Sequence, residues 1–232
     1  MKTIGFLGGM SWESTAEYYR LANEIVRDRL GGLHSAECVI RSVDFAEIEA
    51  LQVAGDWQAA GDLLARHALA LQAAGADLIV LCTNTMHKVA DAIEEVISVP
   101  FVHIADVTAS AVLEAGVSRV GLLATGFTME QDFYRDRLAS HGVTAVVPSA
   151  DDRAIVHRVI YEELCLGIIR EESRVEFRRI MAALVSEGVE GMIYGCTEIE
   201  LLVDESDTPV PVFKTTNLHV AAAVEMALKT LK

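Results

Sequence analysis

Two short segments of this chain carry side chains able to move a proton. Leu81-Cys82-Thr83-Asn84-Thr85-Met86-His87-Lys88 and Tyr194-Gly195-Cys196-Thr197-Glu198-Ile199-Glu200-Leu201 each follow an apolar run. In the first, Asn and Thr are good N-caps, and a helical pattern resumes through Val89, Ile93 and Val96. In the second, a thiol stands where a helix N-terminus stabilises a thiolate, a setting that lowers a cysteine pKa from about 8.5 to between about 3.5 and 7.5. Cys196 is then fit to act as a base or a nucleophile. A cysteine after a buried strand is equally suited to be a small core hydrophobe. What separates the two readings is whether the chain repeats the arrangement.

It does. At offsets of about 111 to 116 residues, Ile4-Gly5-Phe6-Leu7-Gly8 matches Val120-Gly121-Leu122-Leu123-Ala124, and Val99-Pro100-Phe101 matches Val210-Pro211-Val212. Between them, the segment from Gly75 to Asn84 matches that from Gly188 to Thr197, which sets Thr83 opposite Cys196.

The elements that position these residues follow from hydrophobic period. Short β-rich runs are predicted at Thr3 to Gly8, Cys38 to Val43, Asp77 to Leu81, Phe101 to His103, Arg119 to Ala124, Val143 to Val147, Gly191 to Tyr194 and Val212 to Lys214. Longer stretches at helix spacing, such as Glu13 to Leu30 and Trp57 to Ala74, alternate with them. The pattern predicts an α/β protein of two pseudo-symmetric lobes, each a four-stranded parallel sheet flanked by helices. The boundaries are drawn at 1–99 plus 212–232 for the first lobe and 100–211 for the second. Ligands of open parallel sheets lie beyond the carboxyl ends of the strands, so the expected active site is the cleft between the lobes.

Composition narrows the partners. A formal charge of −15 repels phosphate backbones and anionic headgroups, so neither nucleic acid nor membrane is expected as a partner. An anionic substrate would need local donors. The apolar run at the N-terminus breaks at Gly8-Gly9, too soon for a signal-peptide core, and the chain is expected to be cytoplasmic. Cys38, Cys82, Cys165 and Cys196 form no CxxC pair, and the seven histidines show no HExxH or paired ligand spacing. Free thiols and no metal are expected. Gly8-Gly9 lacks the G-x-G-x-x-G order, which argues against nicotinamide binding.

Three segments, Gly8-Gly9-Met10-Ser11-Trp12-Glu13-Ser14-Thr15, Cys82-Thr83-Asn84-Thr85-Met86-His87 and Gly195-Cys196-Thr197-Glu198-Ile199, resemble the signatures of the aspartate/glutamate racemase family, in the family's order. The resemblance runs over essentially the whole chain and is closest to the broad-specificity or L-aspartate/L-glutamate-specific branch. It implies a cofactor-independent 1,1-proton transfer at the Cα of an amino acid, in a homodimer. Inversion needs one group on each face of Cα, and the family's two cysteines correspond here to Thr83 and Cys196. A Thr hydroxyl ionises far above physiological pH, and each pKa unit of mismatch is worth about 1.4 kcal/mol, so Thr83 is a poor base that can still relay or donate a proton. By resemblance, Cys196 faces the hydrogen of the L-enantiomer. Cys82 points to the other side of the strand.

The resemblance also implies that the substrate α-carboxylate sits against Asn84, Thr85 and the amides of Thr85, Thr197 and Glu198, with Met10 and Ser11 lining the pocket and Gln52 as a further contact. Met10 and Ser11 read equally as a turn, and Gln52 as a solvated helix face. Glu198 either accepts the ammonium group, orients Cys196 or complements a helix start. Cys165 stands where several aspartate racemases carry Lys, which argues against strict aspartate specificity. Two other classes fit the same features: a non-catalytic amino-acid-binding protein, and a related hydantoin racemase, glutamate racemase or decarboxylase.

Overall fold

The sheet strands are dictated by apolar runs too short for helices. Leu-Ile-Val-Leu at 78–81 and Gly-Met-Ile-Tyr at 191–194 are buried at every position, as suits inner strands of a parallel sheet covered on both faces. We describe a computed structural model of the chain, covering residues 1–229.

The structure divides into two units. The first comprises Met1–Ile104 with the chain from His219 onward, and the second Ala105–Leu218. In chain order the first contains β1 (Ile4–Gly8), α1 (Trp12–Leu30), β2 (Cys38–Ser42), α2 (Phe45–Ala54), α3 (Trp57–Ala73) and β3 (Leu78–Leu81). A 3-10 turn at Thr85–Val89 then leads into α4 (Ala90–Glu94) and β4 (Phe101–Val102). Helix α5 (Ile104–Glu114) carries the chain into the second unit. There follow β5 (Arg119–Leu123), α6 (Gly126–Glu130), α7 (Asp132–Ser140), β6 (Thr144–Val146), α8 (Ala150–Glu162), α9 (Glu171–Ser186), β7 (Gly191–Tyr194), α10 (Ile199–Leu202) and β8 (Val212–Lys214). Helix α11 (Thr215–Leu228) returns the chain to the first unit.

Each sheet has four parallel strands, ordered β2-β1-β3-β4 and β6-β5-β7-β8. The α/β architecture expected from the repeat is therefore present, with every strand within a residue or two of its expected limits. The boundaries differ from those drawn at 99/100 and 211/212. β4 pairs with β3 and β8 pairs with β7, so each fourth strand stays with its own sheet and the units divide after Ile104 and after Leu218.

Helix packing fixes each sheet. On α3, Ala60, Leu64, Ala68 and Leu71 fall on one face and pack with Leu7, Ile79, Leu81, Met86 and Ile93. Burying each of the large aliphatic side chains contributes about 1.5–3 kcal/mol. Asp56 starts that helix by accepting from the Ala59 amide. In the second unit Phe177, Ile180, Met181 and Leu184 of α9 form the corresponding buried stripe.

In both sheets the chain steps outward from the first strand to an edge and then crosses back to the third. The strand order reverses between β1 and β3 and between β5 and β7, the points where loops beyond the carboxyl ends leave a crevice. Apart from Gln52, which lies on α2, the candidate residues sit on the loops after β1, β3 and β7.

Candidate active site

The loop after β1 is held shut by its own hydrogen bonds. Gly9 adopts φ +95°, and a Cβ there would lie 2.2 Å from the Val43 carbonyl oxygen, so only glycine fits. Its amide donates to Thr15 Oγ1 at 2.8 Å, and that hydroxyl donates to the Ser11 carbonyl at 2.9 Å. The glycine pair thus serves close approach of α1 and β2, and the Gly9 N–H is consumed inside the loop instead of facing a phosphate. Met10 is buried. Ser11 is the N-cap of α1, its Oγ accepting from the Ser14 amide at 3.2 Å.

Beyond β3, Thr83 is partly exposed while Cys82, Asn84 and Thr85 on either side are buried. Cys82 points into the core with its Sγ 3.8 Å from the Val80 carbonyl, and burial pushes its thiol well above the ordinary range. Both residues lie beyond the last residue of β3, so the buried Cys82 and the partly exposed Thr83 are separated by burial, not by a continuing strand. Asn84 does not cap the following turn with its side chain, contrary to the expectation from its type. Instead of a long helix, residues 85–89 form a 3-10 turn and α4 has only five residues, ending before Val96.

Gln52 lies on α2, buried and not on a solvated face. Its Nε2 is 2.9 Å from Met86 Sδ, which ties α2 to the turn after Thr83. Among the described residues its Oε1 has no hydrogen-bond partner, and an unsatisfied buried amide oxygen costs about 1–3 kcal/mol.

In the second unit, Cys196 occupies the position after β7 that Thr83 occupies after β3, and it too is partly exposed. Its Sγ lies 2.8 Å from Glu198 Oε2, and Thr197 Oγ1 donates to the same oxygen at 2.9 Å. Glu198 is buried, so these two donors compensate its carboxylate.

The electrostatics correct the expectation of a stabilised thiolate. The Cys196 thiol is pushed well above its ordinary range, first by burial, then by the Glu198 charge and hydrogen bond, with a smaller contribution from Cys165. The helix meant to lower it is α10, four residues long, and dipole effects need an ordered run of peptides that one turn does not supply. The resting form is a thiol donating to Glu198.

Two cations carried by strands are engaged in pairs of their own. Lys214 pairs with Glu205 at 2.8 Å and Glu200 at 3.7 Å, and Arg41 Nε donates to His67 Nδ1 at 3.1 Å. Among the described residues no group of three or more His, Cys, Asp or Glu side chains is arranged to hold a metal ion. No described helix is long and apolar enough to cross a membrane.

Sequence reasoning passed over one loop. Thr125, buried and 3.2 Å from the Thr128 hydroxyl, follows the carboxyl end of β5 beside β7. The match of Ile4–Gly8 with Val120–Ala124 had already set it opposite Gly9.

The profile of the Asp/Glu/Hydantoin racemase family matches residues 7–223. A structure from Yersinia pestis, described as a candidate Asp/Glu racemase, superposes with a TM-score of 0.94 at 55% identity, over 99% of this chain and 100% of that one. An aspartate racemase homologue from Pyrococcus horikoshii gives 0.87 at 37% identity, over 99% and 100%. A glutamate racemase from Francisella tularensis, in complex with D-glutamate, shares the fold with a TM-score of 0.69 at 12% identity, over 99% of this chain and 82% of that one.

Proposed function

We propose that this chain, which belongs to the Asp/Glu/Hydantoin racemase family, is an amino-acid racemase that inverts Cα of an acidic amino acid without pyridoxal phosphate. Cys196 works on the hydrogen of the L-enantiomer and Thr83 on the opposite face. The observation that carries this reading is the thiol–carboxylate pair at the end of β7, Cys196 Sγ to Glu198 Oε2 at 2.8 Å, matched by an alcohol at the same place after β3.

Starting from the L-enantiomer, the Cys196 proton passes to Glu198, leaving a thiolate and a carboxylic acid. The thiolate then takes the Cα proton. The enediolate that results accepts a proton on its other face from the Thr83 hydroxyl; solvent then restores the hydroxyl proton and takes the proton held by Glu198, which resets the site. In the reverse direction Cys196 is already a thiol and is ready to donate, but Thr83 must act as the base. That direction is the slow one. The α-carboxylate is held by Asn84, Thr85 and the amides of Thr85, Thr197 and Glu198, which also stabilise the developing enediolate charge. The unpartnered Gln52 Oε1 is suited to accept from the substrate ammonium, and Met10 and Ser11 close the pocket beside it. A cytoplasmic homodimer acting on aspartate, glutamate or both completes the reading.

The test is incubation of the protein, free of pyridoxal phosphate, with each enantiomer of aspartate and glutamate in heavy water, following Cα exchange by mass and inversion by optical rotation. Exchange is expected, and Cys196→Ala should abolish it. Tight binding without any exchange would replace the racemase by an amino-acid-binding protein.

A further inference from the structure

The 3-10 turn after β3 leaves one carbonyl without its usual helical partner. In an α-helix the Thr83 carbonyl would accept from the His87 amide, but that amide bonds to the Asn84 carbonyl at 3.1 Å instead. The His87 side chain fills the gap, with Nδ1 2.7 Å from the Thr83 carbonyl oxygen. On its other side, Nε2 accepts from the Ile104 amide at 3.2 Å. A backbone N–H can only donate, so Nε2 is bare and the ring proton sits on Nδ1. The imidazole is neutral, in one tautomer, and each nitrogen is committed.

Its surroundings hold that arrangement. His87 is buried, with ring contacts to His103 at 4.7 Å, Phe101 at 5.6 Å and His219 at 5.7 Å. His219 is committed as well, with Nε2 2.6 Å from the Val102 carbonyl and Nδ1 2.9 Å from the Tyr18 hydroxyl. These bonds anchor the Thr83 carbonyl to the segment at 101–104, a different part of the same unit.

We propose that His87 is a positioning residue for Thr83. It fixes the plane of the Thr83–Asn84 peptide, and with it the direction of the Thr83 hydroxyl and the Asn84 side chain. The inference rests on the racemase reading above, because it needs Thr83 to deliver a proton.

Two substitutions separate the two bonds. His87→Gln can place an acceptor near Nε2 for the Ile104 amide but has no donor at the Nδ1 position. His87→Asn keeps a donor at that position and loses the acceptor. With the L-enantiomer in heavy water, exchange without inversion reports Cys196 alone, whereas inversion reports both ends. Since a misplacement of about 1 Å costs on the order of 10²-fold in rate, H87Q should raise the ratio of exchange to inversion at least about tenfold. H87N should recover part of the lost inversion. Parallel loss of exchange and inversion in H87Q, or an unchanged ratio, would overturn the proposal. In the unsubstituted protein, nitrogen NMR of labelled histidine should find His87 protonated at Nδ1, and protonation at Nε2 would overturn it even if both variants fail to fold. Absence of exchange in the unsubstituted protein sinks the racemase reading instead, so the two failures are distinct.

Discussion

The ends of β3 and β7 are built on one plan and finished with opposite chemistry. After β3 the side chains are neutral: an alcohol at Thr83, then Asn84 and Thr85, with His87 held uncharged by its two partners. After β7 the matching positions carry a thiol at Cys196, then Thr197 and Glu198, and Glu200 where the first unit has His87. The first end has its backbone pinned and no ready proton acceptor. The second has a carboxylate within hydrogen-bond reach of the sulfur. Under the proposed mechanism, one scaffold position holds in one unit a group that delivers a proton through a fixed hydroxyl and in the other a group that trades a proton with an acid, and turnover should be lopsided.

The sharpest way to break the contrast is to give both ends an alcohol. Cys196→Ser leaves Glu198 beside a hydroxyl whose proton it cannot take, so exchange from the L-enantiomer should fall by about 10²–10⁴-fold, the size of general-base catalysis. A loss below tenfold, measured as Cα deuteration, would show that the sulfur is not the base.

The contrast extends to stability. His219 is wholly buried in the first unit, and burial lowers its pKa from 6.5 to about 4. A depressed folded pKa means that the unfolded chain binds the proton more readily, so the stability present above pH 6.5 is lost as pH falls toward 4. The loss amounts to about 3 kcal/mol. The Cys196 thiol is shifted upward, so the stability it contributes is present below its unfolded value and disappears in alkali. Denaturant titrations at pH 7, 5 and 4 should show the acid loss, and His219→Gln should flatten it. An acid limb unchanged in that variant would place the sensitivity elsewhere.

Removing the acid from the second end tests the same contrast more gently. In Glu198→Gln the thiol has no local acceptor, and L-side kcat should fall by about ten- to a hundredfold. The same change takes away a charge that raises the Cys196 pKa, so the alkaline rise of L-side kcat/KM should move to lower pH. A rate loss with an unmoved pH profile would mean that Glu198 binds substrate and leaves the sulfur alone.

Much of this was legible in the chain because the inner strands are short, almost wholly apolar runs and because the runs recur. Leu78–Leu81 and Gly191–Tyr194 could be placed from period and length alone, and the repeat set Thr83 against Cys196. The state of the sulfur was not legible. The rule that a helix start lowers a thiol pKa depends on how long the helix is, and a four-residue α10 leaves no periodic trace. That Glu198 folds back onto its neighbour is equally a matter of loop geometry, which residue types do not fix. The unit boundaries were missed for a related reason: β4 and β8 are held by pairing to β3 and β7, contacts made across long separations in sequence.

The mildest change converts the alcohol end into a second thiol. Thr83→Cys puts a group with an ordinary pKa near 8.5 where the native hydroxyl ionises far higher, so reaction from the D-enantiomer should speed up. The gain should stay near tenfold, because the first end has no counterpart of Glu198. Thr85 occupies that position, a neutral side chain that cannot take the new thiol's proton. Adding Thr85→Glu to Thr83→Cys should then raise D-side kcat at saturating substrate further, and more than the two single changes combined, while KM rises because Thr85 also holds the α-carboxylate. Equal D-side rates in the native protein and Thr83→Cys would mean that a different group works that face, and additive effects in the double variant would mean that the carboxylate at the second end does not activate its thiol.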